Sequence, residues 1–449
     1  MAILIRNCSY LVQSSTCITQ DVDLLIQGNR IAQVGKNLLS PADAEIIDGS
    51  DCVVMPGFIN THAHLYQNLM KGISKGIPLV PWCNEVLFPN IGAMRKVINR
   101  DGQRLPYLWT AISAIEMIKG GITSCINMDT IFPSIIHAWK DVGFRGVLAY
   151  TLSNKWVPEE LRSSESAMKD QMIDFINEHH DPNGLTTVFP APSTLFLCTD
   201  DFLQWAGKVA VDNHLGMQIH IAETAEEVRD LVRDTGRTPV EYLDHLGLLN
   251  NSLSAVHCVH CNQHDLQLLA QTKAQVVHCP KSNMKLSDGI APVVPMRKMD
   301  ILVSLATDGC ASNDLLDMWE EMRAAVMLAR VANNDANALQ PIDAFQMATA
   351  DAAQVAHLDT GEIYPGKLAD VIVVDTQSAH LTPFHDFDLF NMLVFCAKSN
   401  DVRDTIINGE IVMRNRVLKT VDEAAIKSEI KAIDIEISDF RQDLHFSAT

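Results

Sequence analysis

His62 and His64 stand one residue apart in "FINTHAHLYQN", directly behind the apolar run "VVMPG". Residues i and i+2 of a β-strand share a face, so both imidazoles would aim at one point where a buried strand ends. Alone, the pair fits either two metal ligands or a turn that tolerates polar residues. Other strand ends change that balance. His220 and Glu223 close "GMQIHIAE", His257 closes "LSAVHCVH", His278 lies in "AQVVHCPKS" and Asp308 closes "ILVSLATDG". A single buried histidine is more often a hydrogen-bonded core residue than a ligand, but so many polar residues at the ends of apolar runs outweigh that reading.

Three imidazoles and a carboxylate form a borderline donor set that suits Zn²⁺, or Fe²⁺, and leaves room for water. His62, His64, His220 and Asp308 are the expected ligands of one divalent ion, which would lower the pKa of water toward ~7. Glu223, three residues past His220, is placed to carry protons from water to a substrate ring and its leaving group. His257 would orient the attacking oxygen or stabilise charge at the attacked carbon. Asp308 would serve as both ligand and proton acceptor.

The elements that must position these groups can be read from the same runs. Eight apolar, β-branched segments follow one another: "VVMPGFIN", "ITSCINM", "RGVLAYTL", "LTTVFPAPS", "GMQIHIAE", "LSAVHCVH", "AQVVHCPKS" and "ILVSLATDG". Most precede helical patterns such as "LPYLWTAISAIEMIKG" and "NQHDLQLLAQTK", the latter N-capped by Asn262. Eight strand–helix repeats over roughly 300 residues match the count and length of a (β/α)8 barrel, whose chemistry sits at the C-terminal strand ends. A doubly wound open sheet would give a similar alternation. Short alternating strands occupy the first fifty or so residues and return near the C-terminus, with turn signals at Gly28–Asn29 and Asn408–Gly409. The two β-rich ends are expected to join in one small domain, and "DEAAIKSEIKAIDIEISDFRQDL" to form a closing helix.

The 449 residues, 47% hydrophobic and 20% charged, suffice for one large and one smaller domain. A net charge of -20 argues against nucleic acid, which needs a cationic surface, and against an anionic membrane. The N-terminus "MAILIRNCSYLVQ" lacks the features of a signal peptide, and no run approaches transmembrane length. Eleven cysteines without a paired framework fit a reducing cytoplasm. Cys258 and Cys261 form a lone CxxC and read as strand and loop residues rather than a zinc knuckle.

Taken together, "PGFINTHAHL", "HIAETAEE", "HCPKSNMKLSDGIAPV", "ATDGCASNDLLDMWEEMR" and "GEIYPGKLADVIVVD" resemble the amidohydrolase superfamily, within its branch of heterocycle aminohydrolases. The resemblance implies an α/β fold: a distorted (β/α)8 TIM barrel over residues 57–361, with a small β-sandwich from 1–56 and 362–420. Residues 421–449 would be the C-terminal helix. It also implies one divalent metal, hydrolytic release of ammonia, and a homodimer or larger homo-oligomer. A second metal in such barrels uses a lysine ending strand four, and "LTTVFPAPST" has none.

The motif texture is similar to S-adenosylhomocysteine/5-methylthioadenosine deaminases, which makes an adenosine-type substrate the leading expectation. Two positions depart from that pattern. Pro81 precedes Trp82 where an acidic residue can hold ribose hydroxyls, and Ala191 lies where a histidine is common. Glu85 or Asn84 would have to substitute. The "PAPST" stretch looks more like s-triazine hydrolases, so a triazine, guanine, a pterin or another purine-like ring is the alternative. Trp82 and Phe88 are expected to stack on the ring or pack the loop after strand one. Glu85, His278 and Ser312 complete the expected substrate contacts, with Lys281, Ser282 and Asn283 at the rim. A non-catalytic scaffold of the dihydropyrimidinase-related kind would have lost metal ligands, and here all four candidates remain.

Overall fold

In the computed structural model, which describes residues 2–73, 76–130 and 132–442, the β-branched runs become strands almost segment by segment. The N-terminal strands are β1 (Ala2–Ser14), β2 (Cys17–Gln27), β3 (Arg30–Gly35), β4 (Glu45–Asp48) and β5 (Cys52–Pro56). The middle of the chain supplies β6 (Phe58–Ala63), β7 (Ile122–Asp129), β8 (Arg145–Leu152) and β9 (Thr186–Pro192). These are followed by β10 (Met217–Ile221), β11 (Leu253–His257), β12 (Gln275–His278) and β13 (Val303–Leu305). The last four are β14 (Val371–Asp375), β15 (Val402–Ile407), β16 (Glu410–Arg414) and β17 (Val417–Leu418).

Both ends of the chain do meet. They pair as a single nine-stranded sheet in the order β17-β16-β15-β14-β5-β1-β2-β3, with β4 beside β1. The expectation was a sandwich of two sheets; the hydrogen bonding instead runs on across the β14–β5 ladder, whose five residue pairs weld the C-terminal strands to the N-terminal ones. Asn408 and Gly409 both take positive φ, as a two-residue hairpin turn requires. Gly409 has a second reason to lack a side chain: a Cβ there would stand 1.9 Å from the carbonyl oxygen of Gly28, in the other hairpin turn.

The eight middle strands form two parallel four-stranded sheets, β6-β7-β8-β9 and β10-β11-β12-β13. One junction between them is a bridge at Thr194 and His220, with His220 N–H donating to Ser193 O at 3.1 Å. At the other, Thr61 Oγ1 donates to Leu305 O at 2.8 Å and Asp308 N–H to His62 O at 3.0 Å. This is a mixed α/β arrangement consistent with a TIM-barrel type of fold. Between the sheets, Gln218 Nε2 donates to Thr61 O at 2.9 Å and the Thr61 and Ser304 hydroxyls meet at 2.8 Å, so these three buried polar side chains are paired.

The segment after β6, expected as a loop, is helical. Leu79–Trp82 leads through a wider turn at Cys83–Leu87 into Phe88–Asp101. Leu87, Ile91, Met94 and Ile98 then recur at helical spacing along one cavity wall. The closing helix, Glu423–Gln442, buries Ile426 and Ile437, and its Glu429 and Glu436 pair with Arg104 and Arg100, each at 2.6 Å. Residues 443–449 of the expected helix lie outside the described residues. Among the described residues, no helix is long and apolar enough to cross a membrane.

Candidate active site

Three histidine rings are each fixed through Nδ1. The His62 Nδ1–H donates to Gln218 Oε1 at 2.7 Å, His64 to Met128 O at 2.8 Å, and His220 to Ser193 O at 2.6 Å. A ring that donates from Nδ1 carries its lone pair on Nε2, so three lone pairs converge. Nε2 of His62 and Nε2 of His220 stand 3.2 Å apart. With no proton available between them, that contact is repulsive until a cation enters.

The carboxylate is steered just as firmly. Oδ2 of Asp308 accepts from Ser282 Oγ at 2.6 Å and Ser312 Oγ at 2.8 Å. Oδ1 lies 3.4 Å from Nε2 of both His62 and His64. Ligands held about 2.1 Å from one ion at tetrahedral angles stand about 3.4 Å apart, so this spacing fits a small divalent metal. His62, His64 and His220 also form the one His/Cys/Asp/Glu group among the described residues with metal-site spacing. Burial and the neighbouring His62 bring His64 down to about 4 and hold His220 well below its usual range, leaving both neutral and able to ligate.

Glu223 and His257 sit beside this cluster, with Oε1 3.6 Å from Nε2. Burial, then the Asp308 and Glu227 charges, pushes the Glu223 carboxyl well above its ordinary value. His257 donates from Nδ1 to Asn283 Oδ1 at 2.9 Å, which turns Nε2 toward Glu223. Glu227 carries a supporting task, accepting the backbone N–H of Glu223 at 2.9 Å. Ala222, His257 and Asp308 all have positive φ, between 51° and 74°, so the chain leaves β10, β11 and β13 in a left-handed bend. Each such non-glycine residue costs about 1–3 kcal/mol, a strain that concentrates at functional sites.

The cluster floors a cavity of about 470 Å³. Trp82, Phe88 and Ser312 line it. Glu85 does not: it is exposed on the solvent side of the helical segment, away from the lining stripe. His278 does not either. Val277 packs with Val256 and Ala306, so the next residue along β12 must point to the opposite face, and His278 lies among Val293, Val294, Ala325 and Ala329. Of the departures noted in the sequence, Pro81 is exposed and Ala191 is buried in an apolar cluster; neither lines the cavity. Gln218 escaped sequence reasoning, although it shares a strand face with His220 two residues on. So did Asp129, at the end of β7 in "INMD", where one carboxylate without a partner motif gives no signal.

A model of the amidohydrolase family matches residues 53–412. The chain belongs to the amidohydrolase family. It is 35% identical over 441 residues to the 5-methylthioadenosine/S-adenosylhomocysteine deaminase of Desulforamulus reducens, covering 96% of this chain and 97% of that protein. With the 5'-deoxyadenosine deaminase of Methanothermobacter thermautotrophicus it shares 34% over 420 residues, 92% and 94% of the two chains. Among solved structures, an adenosine deaminase from Xanthomonas campestris with bound zinc superposes with a TM-score of 0.91 at 28% identity, covering 97% and 98%. A zinc complex of an atrazine chlorohydrolase from Arthrobacter aurescens TC1 has a TM-score of 0.89 at 22% identity, covering 96% and 100%, a likeness of fold. The resemblance read from the motifs is borne out. This amidohydrolase is a hydrolytic deaminase acting on C–N bonds, and its family is metal-dependent.

Proposed function

We propose that this amidohydrolase deaminates an adenosine-type compound (adenosine, 5'-deoxyadenosine, methylthioadenosine or S-adenosylhomocysteine), releasing ammonia with one Zn²⁺ per subunit. The observation that carries the reading is the convergence of three Nε2 lone pairs and Asp308 Oδ1 beside a buried, protonatable Glu223. His62, His64, His220 and Asp308 would hold the ion. When bound, such an ion supplies Lewis acidity that brings water's pKa to about 7.

The protein's own groups would do the rest. Glu223 takes one proton from the attacking water and passes it to the ring nitrogen beside the reacting carbon; Asp308 then accepts the second proton from the hydroxyl now on that carbon, and that proton leaves with the departing amine as ammonia. The His257 ring, locked by Asn283, presents Nε2 to the oxygen that adds to that carbon. Trp82 and Phe88 cover the ring and keep bulk water out. The proposal includes closure of the two parallel sheets as a distorted (β/α)8 barrel over residues 57–361, with 1–56 and 362–420 as a separate small β-domain. It also includes a cytoplasmic homo-oligomer; all eleven cysteines are free, which suits a reducing compartment.

A panel of adenosine, methylthioadenosine, S-adenosylhomocysteine, guanine and melamine, assayed for ammonia with zinc-loaded protein, tests the reading. Turnover confined to the adenosine-type compounds is expected. Turnover only of guanine or melamine, or chloride release from a chlorotriazine in its place, would overturn it.

A further inference from the structure

Asp129 ends β7 in the cavity wall and is 2% exposed. Three carboxylates line the cavity among the described residues, and Glu223 and Asp308 are already committed to the reacting centre. Asp129 is placed by the same turn that orients His64, since the carbonyl of Met128 accepts the His64 Nδ1–H. Its two oxygens are unequally engaged. Oδ1 accepts the Thr130 N–H at 2.7 Å, whereas Oδ2 has the Asn127 amide at 3.4 Å, too long to satisfy a buried carboxylate oxygen. Burial pushes the Asp129 carboxyl up to about 7 against the pull of its Thr130 and Asn127 donors and of the nearby Trp109 indole, whose N–H makes no hydrogen bond within reach.

We propose that Asp129 is a specificity-determining residue whose Oδ2 accepts a hydrogen bond from an N–H or O–H donor of the substrate other than the amine that leaves. The inference rests on the deaminase reading above. It also answers a question the sequence raised, because Pro81 and Glu85 put no carboxylate in the cavity where an acidic residue was expected to hold a sugar. Two parts of a nucleoside-like substrate carry suitable donors: the ribose hydroxyls and a second amino group on the ring. The shared chemistry is a donor meeting a buried acceptor that is otherwise short of one.

Equilibrium binding separates the sources without requiring turnover. Wild-type protein and Asp129→Asn are titrated with purine riboside, its 2',3'-dideoxy analogue and 2-aminopurine riboside. Metal content and melting temperature are measured alongside to exclude a folding defect. Loss of one charge-assisted hydrogen bond should weaken binding of a donor-bearing ligand about ten- to a hundredfold. If the sugar is the source, purine riboside weakens and the dideoxy analogue does not; if the ring is, 2-aminopurine riboside alone weakens. Equal affinities for both proteins, or equal weakening of all three ligands, would overturn the inference. If wild-type protein binds none of the three, the inference falls together with the reading it rests on. Equal affinities of the two proteins for all three ligands, with adenosine still turned over by the wild type, make the inference alone fail.

Discussion

The two serine hydroxyls on Oδ2 of Asp308 decide what its other oxygen can do. With Ser282 and Ser312 saturating one side, Oδ1 is turned toward Nε2 of His62 and His64. Glu223 differs in kind, since its oxygens stand beside the cluster rather than in it. Glu223→Gln should therefore retain stoichiometric metal while kcat falls about 10²–10⁴-fold, the usual worth of general acid–base catalysis. Unchanged kcat in that variant would remove Glu223 from the chemistry. Gln218 has the opposite signature. It holds His62 in one tautomer through a 2.7 Å bond, so Gln218→Ala should weaken metal affinity about 10–100-fold, measured by competition with a chelator. An unaltered affinity would mean that His62 is held by packing alone.

Among the elements, the eight inner strands were legible because parallel strands covered on both faces leave unmistakable Val/Ile runs. The proposed ligands stand out in the sequence because strand-end histidines interrupt those runs. Where sequence reasoning failed, a local geometry intervened. Glu85 was misplaced because the segment after β6 is helical and turns that side chain to solvent, and His278 because β12 keeps its two-residue period to the end. Glu227, Gln218 and Asn283 act through bonds to other site residues, which spacing in one chain does not reveal. The helix Met318–Asn333 offers a test at this scale. Its Glu321 is fully buried against the Asn313 amide at 2.6 Å, and burial lifts its carboxyl to about 8 from an ordinary ~4.3. The folded protein thus keeps a proton that the unfolded chain releases between those values. Stability from this group is full below pH ~4.3 and is lost as pH rises through about 8. Urea unfolding at pH 5 and pH 8.5 should show that loss in wild type and a flatter profile in Glu321→Gln. Parallel profiles would assign the pH dependence elsewhere.

For the molecule as a whole, Arg145 ties the inner strands to the terminal sheet. At the start of β8 it meets Asp370 at 2.8 Å, both side chains being essentially buried, and Asp370 in turn accepts the Asn408 N–H of the β15–β16 turn at 2.7 Å. Removing one partner of a buried pair strands the other charge, so Arg145→Met should cost about 3–5 kcal/mol in denaturant unfolding. A cost below about 1 kcal/mol would place the pair among those of little worth. The proposed metal ligands make the same connection at the site. His62 and His64 come from the β6 end of one parallel sheet, while His220 and Asp308 come from β10 and β13 of the other, so a bound ion requires both sheets at once. The most direct measurement is X-ray absorption at the metal edge on protein with a known metal content. It should find one ion per chain, with nitrogen ligands at about 2.0–2.1 Å and oxygen at about 2.0–2.2 Å. Lack of stoichiometric metal after reconstitution, or a sulfur-rich shell, would contradict the convergence of these three histidines and Asp308 on a single cation.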